Sequence, residues 1–408
     1  MQVFMNQPVA SRITELAHAM RHVMTYIDES AYIVKSTDPC VSNFALGNPQ
    51  DMPLTGVVDA LKHAVEPRNK DWFAYKLSEP ESQEVVAASL REELGIPFEP
   101  DDIAMTNGAF GALAVAIQVV VDPGDEVIFN LPPWFFYENM VVSAGGVPVK
   151  VPVDRNTFDL DLNAIERAIT PRTRAIIVNT PNNPTGKIYP PETLERLAAM
   201  LTGASHRHGR PIYLISDEPY RRIVFEGNTF HSPLAFYPYA MMTYSYGKVL
   251  LTPGERIGYL ALPPSMPDRK QLRAAIRTVQ FTGGFLFPNA TLQHAIADLD
   301  TMSIDIERLQ RKRDRMVEAL REIGYEVHVP QGTFYLLPKS PWDDDWAFMR
   351  LLEKHDILCL PGTVLEFPGF FRISLTASEE MIEWSLPGFE SAFQYARMQP
   401  SPAGTDGI

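Results

Sequence analysis

Four short stretches of this 408-residue chain place polar or charged side chains in or just after strand-like runs. Asn179-Thr180-Pro181-Asn182-Asn183-Pro184-Thr185-Gly186 follows the run AIIV at 175–178. Asn, Pro and Gly dominate ordinary turns, and Asn-Pro-Thr alone would read as one. An eight-residue run of this make-up at a strand end points instead to a ligand site. Ser216-Asp217-Glu218-Pro219-Tyr220 follows IYLI at 212–215. An aspartate at the end of a buried strand is costly unless a cation pairs with it; the plainer reading is a helix N-cap. Ser245-Tyr246-Gly247-Lys248 closes a polar, aromatic segment, and Arg256 stands eight residues on, before Ile257-Gly258-Tyr259. Most lysines are solvated surface groups, but a partly buried one can lose its charge and act as nucleophile or base. Phe371-Arg372-Ile373-Ser374-Leu375 sets one arginine in an alternating run. Its guanidinium is either an exposed edge group or an inward, two-pronged clamp for a carboxylate.

The elements that must position these groups follow from apolar patterning. Glu126–Asn130, Ala175–Val178 and Ile212–Ile215 read as strands, with helix-like segments at 161–169 and 191–201. Strands alternating with helices imply a mainly parallel sheet covered on both faces, whose ligands bind at the carboxyl ends of the strands. Ile13, Leu16, Ala17, Met20, Met24 and Ile27 recur at helical spacing, so an amphipathic helix opens the chain. A long charged helix is expected over 303–323, followed by shorter elements of a second α+β unit against which the opening helix packs. The expected division is a large domain over 46–298 and a small one from 1–45 and 299–398. The turn-forming residues 399–408 are expected to be a disordered tail.

Composition narrows the class. Hydrophobic residues at 45% and charged residues at 21% are ordinary for a globular protein. Fifty acidic against 36 basic side chains, net −14, argue against a general nucleic-acid binder or an anionic membrane surface. No apolar run reaches the ~20 residues of a membrane span. Cys40 and Cys359 match no metal spacing and make no disulfide framework. The opening MQVFMNQPVASR lacks the basic-then-apolar build of a secretory signal. The expectation is a soluble, cytoplasmic protein without metal. The absence of a GxGxxG stretch speaks against a nicotinamide dehydrogenase.

Together, in this order, the stretches resemble the class I/II aminotransferases, pyridoxal-phosphate (PLP) enzymes of fold type I related to aspartate aminotransferase. The resemblance runs from about Asn43 to Leu375. It implies a fold type I α/β architecture, with a mainly parallel seven-stranded sheet in the large domain and a smaller α+β domain. By similarity, Lys248 holds PLP as a Schiff base and, once released, moves the substrate proton. Asp217 pairs with the pyridine nitrogen, Asn183 and Tyr220 bind the ring's phenolic oxygen, and Arg256 and Ser245 hold the phosphate. Thr106-Asn107-Gly108-Ala109-Phe110-Gly111 looks like the phosphate turn, with Gly108, Ala109 and Phe110 offering backbone N–H groups at a helix start; a simple glycine turn is the alternative. In Pro132-Pro133-Trp134-Phe135-Phe136-Tyr137, Trp134 would stack on the cofactor ring, while Phe135 and Phe136 are expected in the core. Gly47 would lie over the substrate and Arg372 would clamp its α-carboxylate. Tyr75 would reach the phosphate of a neighbouring subunit, making the enzyme a homodimer with shared active sites.

Some positions depart from the family pattern. Gly247 stands where many relatives carry Ser, and Ala109 lacks the hydroxyl common in the phosphate turn. Around Thr282, where aspartate-specific relatives place a second Arg, the chain reads Phe-Thr-Gly-Gly-Phe. The aromatic residues Phe281, Phe285 and Phe287 leave apolar or aromatic substrates open. The expected reaction is amino transfer between an L-amino acid and a 2-oxo acid. The same residues also serve PLP lyases, synthases and oxidases acting on L-amino acids. A non-catalytic ligand-sensing domain is disfavoured by the presence of Lys248 and Arg372 and by only about forty residues before the first motif.

Overall fold

The structure is a computed structural model that describes residues 8–401 except Leu286. Its centre is a seven-stranded sheet of β1 (Ile103–Thr106), β2 (Glu126–Leu131), β3 (Val147–Pro152), β4 (Thr173–Asn179), β5 (Tyr213–Asp217), β6 (Ala240–Ser245) and β7 (Gly258–Ala261). The spatial order is β1-β7-β6-β5-β4-β2-β3, and only β7 runs antiparallel to its neighbours. The central runs are apolar at every position because both faces are covered. Val127 and Phe129 join the core on one face, with Ala175 and Ile177. Ile128, Ile176 and Val178 join the core on the other. The helix Gly108–Val120 is almost wholly buried between the first of these faces and the helix Arg269–Thr282.

The helix expected at 191–201 extends over Pro191–His208. Proline occupies its first position and Gly209, at φ 66°, ends it, the usual asymmetry of helix termini. The long charged helix is Ile306–Ile323. It packs on Glu379–Met398 in a separate apolar cluster that also takes in Tyr335, Leu336, Phe371 and Ile373 from the three-stranded sheet of Leu360–Pro361, Phe371–Ser374 and Tyr335–Leu336. The opening helix is in fact two, Ser11–Ala19 and Arg21–Glu29. The first leans on Tyr137–Ser143, beside the large sheet, and only the second packs with the later elements, through Val23 and Tyr26. Of the tail expected to be disordered, 402–408 lies outside the described residues. Among the described residues no helix is long and apolar enough to cross a membrane.

Candidate active site

The carboxyl ends of the parallel strands converge on one cavity of about 760 Å³ of empty space. Asp217 is the last residue of β5, Asn179 the last of β4 and Ser245 the last of β6. All three line the cavity, together with Asn183, Tyr220, Lys248, Arg256 and Arg372, and with Gly47, Ala109, Phe110 and Trp134.

Asp217 lies on the cavity floor and is 3% exposed. Its Oδ1 accepts a hydrogen bond from Thr243 Oγ1 at 3.0 Å, and its Oδ2 accepts one from the Tyr137 hydroxyl. Burial pushes its pKa up to about 6, against the opposing pull of these two donors and of the Lys248 charge. Such a carboxylate is completed by a cation or an N–H donor entering the cavity. Lys248 sits in the short helix Tyr246–Val249 that follows β6. Its Nζ stands 5.9 Å from the centre of the Tyr220 ring and has no hydrogen-bond or ion-pair partner among the described residues.

Arg256 forms an anion seat with the helix Gly108–Val120. No side chain caps that helix's first turn, so its N–H groups and positive end face outward. A Cβ on Gly108 would lie 2.7 Å from Arg256 Nη2 and 3.4 Å from Ser245 Oγ, so the three converge closely. Burial lowers the Arg256 pKa, and no acidic side chain offsets it. The guanidinium donates to the Pro253 carbonyl at 2.8 Å and has no ion pair among the described residues. A phosphate fits this seat in charge and in donors.

On the opposite wall Arg372 is 2% exposed. Nη1 donates to Asn183 Oδ1 at 3.1 Å and Nη2 to the Ala45 carbonyl at 3.0 Å, while Nε–H is buried with no partner among the described residues. Because Asn183 Oδ1 is taken, its amide NH2 is left to donate elsewhere.

The amino-acid sequence over residues 40–385 matches the family described as aminotransferase class I and II. The chain belongs to this family. The aminotransferase is 35% identical over 333 residues, 80% of its own length and 85% of the relative's, to a probable aspartate/prephenate aminotransferase of Thermus aquaticus. It is 33% identical over 308 residues to a probable N-succinyldiaminopimelate aminotransferase of Mycobacterium tuberculosis, spanning 72% of this chain and 74% of the relative. Its fold superimposes on a crystal structure of an aminotransferase from Eubacterium rectale with a TM-score of 0.84 and 31% identity, covering 97% of this chain and 100% of that one. The aminotransferase is thus a fold type I, PLP-dependent enzyme that moves an amino group between an amino acid and a 2-oxo acid.

In the aminotransferase the candidates read from the sequence meet at the cavity, apart from Gly108, which lies behind its lining against Arg256 and Ser245, and Tyr75. That side chain is 86% exposed and packs on Phe287 at 4.6 Å between ring centres. Phe136 is half-buried against the rings of Phe110, Trp134 and Phe135 and joins no core cluster, and Phe135 likewise departs from the core placement expected of both. It lines the cavity while its other side packs on the cluster around Val23 and Tyr26, because the turn after β2 carries it across the cavity rim. Sequence reasoning missed Tyr335, a cavity-lining residue hidden in the run Phe334-Tyr335-Leu336-Leu337, which reads as core. It also missed Tyr137 and Thr243, the two donors to Asp217. The aromatic run ending in Tyr137 was the available signal for the first of these.

Proposed function

We propose that Lys248 is the amine that holds PLP covalently through its aldehyde and that the surrounding polar groups bind the rest of the cofactor and the substrate. The supporting observation is that a free lysine amine, an aspartate of raised pKa and two arginines without acidic partners share one cavity. Bound PLP supplies a carbonyl that captures the substrate's amino group and a ring that withdraws electrons from its Cα. Arg256, Ser245 and the first-turn amides of Gly108, Ala109 and Phe110 hold the phosphate. Asp217 accepts a hydrogen bond from the ring nitrogen and keeps it protonated. Asn183 and Tyr220 donate to the phenolic oxygen, and Trp134 covers the ring. Arg372 orients the substrate through its α-carboxylate, with Gly47 leaving the approach open. Freed Lys248 takes the proton from the substrate Cα and returns one on the cofactor side.

In this proposal the protein is a cytoplasmic homodimer. Tyr75, outside its own cavity, has the exposure that a group serving a neighbouring copy's phosphate needs. The free thiols Cys40 and Cys359 accord with a reducing compartment. Residues 46–298 form the cofactor-binding domain and 21–45 with 299–398 the smaller one, while the helix Ser11–Ala19, expected in the smaller domain, leans on the larger.

The test is a single-turnover reaction of the holoenzyme with an L-amino acid and no 2-oxo acid. The expected outcome is loss of the cofactor's visible band with one equivalent of 2-oxo acid formed. In Lys248→Ala the cofactor should be removable by dialysis and turnover should fall at least about a thousandfold. A variant that keeps its band through dialysis and its turnover would overturn the assignment of Lys248.

A further inference from the structure

The charges around the cavity limit which side chain the substrate can carry. Its lining cations are Lys248, Arg256 and Arg372. Under the reading above, each is committed: to the cofactor's aldehyde, to its phosphate and to the substrate α-carboxylate. Among the described residues of this chain, no lining cation is left for a second carboxylate. An anionic side chain entering here would surrender hydration without a charged partner to replace it.

Apart from Trp134, given above to the cofactor ring, the large apolar lining residues are Leu46, Phe110, Leu113 and Phe135. Phe110 is the telling residue. Within the first ten positions of the helix Gly108–Val120 it alone is exposed, at 39%, while its neighbours are buried. Its ring meets Trp134 edge-on at 5.3 Å and 85°, and Phe136 at 5.3 Å and 62°. It therefore sits beside the anion seat, one face of a rigid aromatic corner. Such a corner gains most by covering a flat or bulky apolar group.

We infer that the preferred amino acid of this enzyme carries a large apolar side chain, aromatic above all, and that Phe110 sets this preference against dicarboxylic amino acids. The inference rests on the assignment of Lys248, Arg256 and Arg372 given above. It goes beyond that assignment in naming the substrate class.

Unreactive carboxylates test it on the PLP-loaded enzyme by calorimetry. 3-Phenylpropanoate mimics an aromatic substrate without its amino group, and succinate mimics a dicarboxylic one. The expected result is at least tenfold tighter binding of 3-phenylpropanoate. Phe110→Arg should reverse that order, because a guanidinium then faces the second carboxylate, while Phe110→Leu should keep it. Retention of the cofactor band and the melting temperature shows that each variant is folded and loaded. Succinate binding as tightly as 3-phenylpropanoate to the parent enzyme would overturn the substrate class and leave the cofactor assignment standing. Equal shifts in Phe110→Arg and Phe110→Leu would remove Phe110 as the determinant. Binding of neither analogue, or binding indifferent to Arg372→Lys, would overturn the carboxylate clamp and the inference with it.

Discussion

The guanidinium of Arg372 lies 4.2 Å over the ring of Tyr335. Behind them, Tyr335 meets the ring of Tyr220 edge-on at 5.9 Å between ring centres. Burial raises the Tyr335 pKa, but Arg372 and Lys248 outweigh it and the net direction is down, whereas burial and Tyr335 drive Tyr220 up. Gly47 is fitted to the same place, since a Cβ there would come within 2.5 Å of the Tyr335 hydroxyl oxygen. Tyr335 thus supports the proposed clamp and the proposed phenolic-oxygen donor at once.

Two substitutions separate these roles. Tyr335→Phe keeps the ring beneath Arg372 and removes only the hydroxyl, so the amino-acid KM should stay within about twofold while the pH profile of kcat shifts. Tyr335→Ala also removes the ring, and a cation–π contact of roughly 0.5–2 kcal/mol corresponds to about a 2- to 30-fold rise in KM. Equal KM effects in the two variants would show that the stacking does not hold Arg372.

Gly108 and Gly209 make a matched pair of tests. Both have positive φ, 74° and 66°, so alanine at either costs about 1–2 kcal/mol of backbone strain. A Cβ at Gly209 meets nothing within 4 Å, but at Gly108 it meets Arg256 Nη2 at 2.7 Å. Gly108→Ala should therefore weaken PLP binding at least tenfold in a fluorescence titration, and Gly209→Ala should lower only the melting temperature. Similar PLP affinity in both variants would remove the anion seat from this place.

Much of this arrangement was legible before any coordinates. Asp217 and Asn183 could be found because each lies within a polar stretch that follows an apolar, doubly covered strand run, IYLI or AIIV. Arg372 stood out as one guanidinium in an apolar alternation. Tyr335 was not legible, because its strand is two residues long and its neighbours Phe334, Leu336 and Leu337 are true core. Phe135 misled for a related reason: an aromatic run does not say which ring faces the core and which the cavity. The division of the opening helix at Met20 has no Pro or Gly to announce it.

Asp217 should make the cofactor-free protein less stable as pH rises. Its folded pKa, near 6, lies above the ordinary value of 3.8. Between those values the folded state holds more protons than the unfolded state, so unfolding free energy falls with increasing pH across that window. At pH 7.5 the full penalty is present, on the order of 2–3 kcal/mol at most. Asp217→Asn should then melt a few degrees above the parent at pH 7.5, with the gap closing near pH 4, while losing PLP affinity. A constant gap from pH 4 to 7.5 would show that the carboxylate's ionisation is not the cause.

Tyr137 should act on the cofactor only through Asp217. Its hydroxyl donates to Asp217 Oδ2, and without it that oxygen keeps only Asn179 Nδ2, at 3.4 Å. Loss of a donor to the ionised form raises a carboxylate's pKa. In Tyr137→Phe the Asp217 value therefore moves above its present position near 6. If only ionised Asp217 receives the protonated ring nitrogen, the acid limb of PLP association with the apoenzyme moves to higher pH in the variant. Stopped-flow association between pH 5 and 8 measures this directly. A role in packing alone would scale the whole profile without moving its midpoint, and that outcome would sever Tyr137 from the ionisation of Asp217.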